Sequence, residues 1–152
     1  MAALRIQQAG PAHIDELCGL FLGYLRFYEK TVAPEAAKRF LSDRLQNRQS
    51  IVFLATLDGE AVGFVQLYPS FASLSLAPSW ILNDLYVRES ARGRGVAQAL
   101  MQAARQLAED TGAVEIFLQT ARDNTLAQRL YERLGYRRDD HFLVYTLDLP
   151  RT

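Results

Sequence analysis

The chain has 152 residues, enough for one domain with one hydrophobic core. Hydrophobic residues make up 49% and charged residues 22%, a balance that excludes a disordered or fibrous chain and fits a soluble globular one. Seventeen basic residues offset seventeen acidic ones, so the basic excess expected of a nucleic-acid binder is missing.

Leu4–Ala9 alternates apolar and polar residues and predicts a short strand, which Gly10-Pro11 breaks. Pro11 suits a helix start, and from His13 to Tyr28 the positions Ile14, Leu17, Cys18, Phe21, Leu25 and Tyr28 recur at helical spacing. Cys18, the single cysteine, excludes an internal disulfide and reads as a buried structural thiol. A second helix is expected over Pro34–Gln46, on Ala37, Phe40, Leu41 and Leu45. Ile51–Thr56 and Ala61–Tyr68 read as strands, joined by Leu57-Asp58-Gly59-Glu60, and Asp-Gly there is a strong hairpin signal. Pro69–Ser79 is rich in serine and proline and reads as a loop with room for a strand extension; Trp80–Val87 is the next strand.

A glycine turn, Arg92-Gly-Arg-Gly-Val-Ala97, leads into a helix whose face is Val96, Leu100, Ala104 and Ala108, capped near Gly112. Val114–Gln119 is a strand. Asp123 or Asn124 caps a last helix carrying Leu126, Leu130, Tyr131 and Leu134, which Gly135 ends, and the alternation in Phe142–Leu149 predicts a closing strand. The order β-α-α-β-β-β-α-β-α-β is mixed α/β with a largely antiparallel sheet and one parallel crossover, from Trp80–Val87 to Val114–Gln119. The N-terminus carries no apolar signal core and no stretch is long and apolar enough to span a bilayer, so the expected location is a reducing cytoplasm. His13 and His141 read as surface and turn residues, and nothing has metal-ligand spacing.

The glycine turn is the chain's most informative segment. A turn opening a helix presents unpaired N–H groups and the positive end of the helix dipole, which together make an anion site. A nucleotide-triphosphate loop needs Gly-Lys followed by Ser or Thr, and Val96-Ala97 follows Gly95 instead. A dinucleotide fingerprint needs Gly or Ala where Gln98 stands and an acid where Gln119 stands.

Arg92-x-x-Gly95-x-Ala97 resembles the (Gln/Arg)-x-x-Gly-x-(Gly/Ala) motif of the GNAT superfamily of acyl-CoA-dependent N-acetyltransferases. Asn83-Asp-Leu-Tyr-Val87 before it resembles that family's fourth strand, and Asn124 to Tyr136 resembles its last cofactor-facing helix. The resemblance spans nearly the whole chain as a single domain. It is strongest to the branch of small yeast histone and polyamine acetyltransferases and their bacterial relatives, through Gln66–Phe71 and Trp80–Leu85.

The resemblance implies a site. The N–H groups of Arg92, Gly93, Arg94, Gly95, Val96 and Ala97 would seat the pyrophosphate of acetyl-CoA, with Arg92 partly structural and Arg94 more exposed. The pantetheine arm would pair with backbone at Leu85 and Val87, and the N–H of Val87 or its neighbour would polarise the thioester. Asn124 would hold pantetheine or substrate. Tyr131 is the expected general acid for the departing thiolate. Some relatives carry a basic glutamate where Asn83 stands, which leaves Asp84 as the nearest ionisable substitute. Asp84 faces opposite to Asn83 on regular alternation unless a bulge re-aims one of them.

Tyr24, Tyr28, Glu29, Tyr68 and Asn83 are candidate substrate residues, since aromatic rings with carboxylates suit a cationic amine. A neutral chain favours a small amine, polyamine or amino acid over a histone-like lysine; a non-catalytic acyl-CoA-binding module is the competing class. A homodimer through the C-terminal strand is compatible with its alternation.

Overall fold

The computed structural model describes residues 3–151. Contacts divide the chain into two units, Met1–Gln119 and Thr120–Thr152.

The first unit is built on a five-stranded sheet of order β1-β2-β3-β4-β5: β1 Leu4–Gln8, β2 Ile51–Leu57, β3 Glu60–Ala72, β4 Ala77–Val87 and β5 Ile116–Phe117. The first three pairings are antiparallel and β4–β5 is parallel. The β2–β3 turn forms where Asp-Gly predicts it, with Asp58 and Gly59 both at positive φ (52° and 83°) as the tight hairpin turn demands. Helices α1 (Ile14–Phe27) and α2 (Pro34–Gln46) cover one face, where Leu17, Leu20, Phe21 and Leu41 pack with Val52, Leu54 and Phe64. Helix α3 (Val96–Asp110) buries Val96, Leu100, Met101, Ala104 and Ala108. It meets the opposite face: a methyl added to Gly63 would lie 3.3 Å from Leu100 and 2.9 Å from the Tyr86 carbonyl. Strand alternation therefore assigns Phe64, Gln66 and Tyr68 to the α1 face and Val65 and Leu67 to the α3 face.

Two elements differ from expectation here. Pro69–Ser79 is not a loop: β3 and β4 stay paired through Pro69↔Trp80, Ser70↔Ser79 and Phe71↔Pro78, and only Ser73–Ser75 turns. The prolines do no harm. Pro69 lies beyond Leu67, where β2 has ended, and the Pro78 carbonyl accepts from Val114 N–H at 3.0 Å, so its backbone faces away from β3. Conversely, β5 is far shorter than Val114–Gln119. It pairs only with Trp80 and Ile81, because the next residues of β4 bend away at a bulge.

In the second unit α4 (Thr125–Arg133) begins as expected: Asn124 Oδ1 accepts from Ala127 N–H at 3.3 Å. Gln128 fastens its start by donating to the carbonyls of Ala121 (3.1 Å) and Arg122 (3.0 Å). Gly135, at φ 97°, follows its end. The expected closing strand over Phe142–Leu149 does not form. Alternation supplies a face but no ladder partner, and among the described residues this segment makes no backbone pairing. His141 does sit in a turn: its N–H and that of Phe142 donate to Asp139 Oδ1 (2.8 and 3.2 Å). Those bonds, the His141 one foremost, hold the Asp139 carboxyl below its ordinary value.

Candidate active site

The glycine turn is shaped by Gly93 and Gly95, both in the left-handed region (φ 78° and 79°), with open space where their β-carbons would stand. Within it the Arg92 N–H goes to Glu89 O and the Ala99 N–H to Gly95 O. Among the described residues, the backbone N–H groups from Gly93 to Gln98 have no backbone acceptor. A row of free amides heading a 15-residue helix is an anion cradle with the helix dipole behind it.

The sequence places Arg92 in that cradle, and its side chain turns elsewhere. Nε donates to the Val87 carbonyl at 2.9 Å, and the guanidinium lies 5.8 Å from the Phe27 ring and 5.9 Å from the Tyr86 ring. Arg92 thus ties the turn to the end of β4 and to α1, while Arg94 stays exposed.

Among the described residues, no strand pairs with the outer edge of β4 beyond Ile81. The Tyr86 carbonyl approaches Gly63, and Arg88 N–H donates to Val62 O at 2.7 Å, so the even-numbered residues here hydrogen-bond toward β3. Leu85 and Val87 therefore direct their N–H and C=O groups to the open edge, where an extended ligand can pair.

The bulge lies on the α1 side. Gln66 pairs with Asp84 and Leu67 with Leu82, which leaves Asn83 without a partner. The extra residue reverses alternation, so Asp84 shares a face with Tyr86 while Leu82 joins the α3 face. Asp84 is buried, and its oxygens are both held: Oδ2 accepts from Gln66 Nε2 at 2.7 Å, and Oδ1 from Asn83 Nδ2 at 3.1 Å. The Tyr24 hydroxyl reaches the Asn83 carbonyl at 3.5 Å and so links α1 to the bulge.

Around this carboxylate stands an aromatic wall. The Tyr24 ring lies 5.0 Å from Tyr28, 5.9 Å from Phe64 and 6.4 Å from Tyr86, all edge-on. Tyr24 is thus a packing residue as well as a site candidate; Tyr28 is exposed at the rim, and Glu29 follows it at a left-handed φ of 59°. Tyr68 is half-buried, and its phenol is pushed up to about 12, by burial first and then by the Asp84 charge, with Arg44 opposing. It therefore keeps its proton at neutral pH. The structure brings Tyr24, Tyr28, Tyr68, Asn83 and Asp84 into the first unit. Asn124 and Tyr131 belong to the second, where the Tyr131 ring lies 6.0 Å from that of Tyr136.

The profile of the Acetyltransferase (GNAT) family matches residues 15–136. The chain belongs to this family. It is 39% identical to an uncharacterized N-acetyltransferase, YhfO, of Bacillus subtilis (strain 168), over 97% of this chain and 99% of the relative. It is 29% identical to the D-amino-acid N-acetyltransferase HPA3 of Saccharomyces cerevisiae, over 79% of this chain and 76% of the relative. Its fold matches the crystal structure of a probable acetyltransferase with a TM-score of 0.91 and 46% identity, covering 97% of this chain and 99% of that one. This GNAT protein is accordingly an acetyl-CoA-dependent N-acetyltransferase with a mixed α/β fold.

Sequence reasoning passes over Gln66 as a site residue. The signal is an amide at an inward position of an otherwise apolar strand, between Phe64 and Tyr68, and its meaning depends on a register that only pairing reveals.

Proposed function

We propose that this GNAT enzyme acetylates a small primary amine, such as a polyamine or an amino acid, by direct attack on the thioester. The carrying observation is the buried Asp84 carboxylate at the β4 bulge beside an aromatic wall, a constellation suited to a cationic amine. A net charge of zero gives no field to steer a polybasic protein tail, and the related yeast enzyme is named for D-amino acids.

Acetyl-CoA supplies the acetyl group as an activated thioester. The free amides from Gly93 to Ala97 fit its phosphates, with Arg94 adding charge and Arg92 bracing the turn. Leu85 and Val87 fit the extended arm, and Asn124 adds an amide. The Val87 N–H stabilises the oxygen that gains charge as nitrogen adds. Asp84 takes one proton from the substrate ammonium, and the freed lone pair forms the C–N bond. As the C–S bond breaks, Tyr131 gives its phenolic proton to sulfur, and the proton shed by the new amide nitrogen passes to solvent, from which Tyr131 is restored. Tyr24, Tyr28, Glu29, Tyr68 and Asn83 surround the amine.

The family match spans both units, which supports one catalytic domain. The free buried thiol of Cys18 suits a reducing cytoplasm. The exposed apolar tail supports a homodimer.

The test is thiol release from acetyl-CoA with spermidine, a D-amino acid, an aminoglycoside and a lysine-bearing histone-tail peptide. Acceptor-dependent release with one of the small amines is expected. Release with the peptide alone overturns the small-amine reading.

A further inference from the structure

Gln66 is the most anomalous residue of the core. It is 0% exposed, and its Oε1 has no hydrogen-bond partner among the described residues. It stands at an inward position beside Phe64, where its Nε2 meets Asp84 and its Oε1 meets no partner. An unpaired buried amide oxygen works against folding, and a native protein keeps one where the amide has another task.

That task is visible in the two hydrogen bonds on Asp84. They are unequal. Oδ2 is fixed at 2.7 Å by Gln66 Nε2, an interior donor on the central strand β3. Oδ1 is held at 3.1 Å by Asn83 Nδ2, and Asn83 is exposed on the bulge. A ligand arriving from solvent competes with the second bond and not with the first. Asp84 is thereby presented in one orientation, with a single exchangeable oxygen.

We propose that Gln66 is a positioning residue: by anchoring Oδ2 it presents Asp84 Oδ1 at the bulge, where a substrate ammonium displaces the Asn83 amide and delivers its proton. This rests on the reading of Asp84 as the base. The N–H bond of the ammonium breaks, its proton joins Oδ1, and the electron pair stays on nitrogen for attack. Asn83 keeps its amide protons and turns outward. The unpaired Gln66 Oε1 keeps the amide from having a competing internal partner, so the Nε2–Oδ2 bond alone sets its orientation.

A double-mutant cycle on the full chain separates positioning from mere support. Gln66→Leu and Gln66→Met remove the donor while filling the same volume. Each is expected to lower kcat on the order of 10- to 100-fold with whichever of spermidine, the D-amino acid or the aminoglycoside is turned over fastest. The KM for acetyl-CoA should stay unchanged. In an Asp84→Asn background the same substitutions should cost nothing further. An equal loss in both backgrounds, or a wild-type kcat in Gln66→Met, overturns the positioning role. Full activity in Asp84→Asn alone overturns the Asp84 reading instead.

Discussion

Tyr131 is the proposed acid because a phenol holds its proton at neutral pH yet can give it to a stronger base such as a departing thiolate. Tyr131→Phe keeps the ring beside Tyr136 and removes the hydroxyl that carries that proton. Steady-state kinetics should show kcat lowered on the order of 100-fold or more, while equilibrium titration shows acetyl-CoA binding nearly unchanged. An unaltered kcat would remove Tyr131 from the mechanism. Nothing in the helical spacing of Leu126, Leu130 and Tyr131 separates this residue from a core aromatic; only the resemblance of the whole block does. Asp84 likewise enters through the resemblance, as the nearest ionisable neighbour of Asn83, where some relatives carry a glutamate. Its partner Gln66 was not legible, because side-chain pairing across strands depends on register, and one extra residue at Asn83 reverses which side chains meet.

At the scale of elements, the turn into α3 is the best-read segment. Its glycines are required by conformation: Gly95 is the N-cap at φ 79°, where a β-carbon is strained even though nothing crowds it. Two substitutions there separate strain from electrostatics. Gly95→Ala should lower stability by about 1–2 kcal/mol and leave acetyl-CoA binding measurable. Gly95→Glu carries the same strain and adds a carboxylate facing the phosphates, so calorimetric titration should find binding lost. Near-normal binding by Gly95→Glu would refute the phosphate assignment. The elements misread are those whose extent depends on neighbours. Composition marks Pro69–Ser79 as a loop, yet its prolines fall where no ladder needs their N–H. Val114–Gln119 has the residues of a strand and loses most of it because β4 bends away.

At the scale of the molecule, the C-terminal tail sets the last expectation. Phe142, Leu143, Val144, Tyr145, Leu147 and Leu149 are between 66% and 88% exposed, an apolar run that a monomer in water does not ordinarily keep open. Drawn out as a strand, Leu143, Tyr145, Leu147 and Leu149 share one face, so pairing with a second copy supplies both the missing ladder and the missing cover. Burying a leucine side chain contributes about 1.5–3 kcal/mol. Three leucines in each of two copies give about 9–18 kcal/mol, an upper estimate, against an association cost of about 4–15 kcal/mol. A dimer held by this face, as proposed, is one that charge placed on the face should break. Light scattering across a concentration series should find twice the chain mass, and Tyr145→Lys with Leu147→Lys should return the protein to one chain mass with α-helical content unchanged. A wild-type protein that stays at one chain mass throughout the series would show that the tail is covered in some other way.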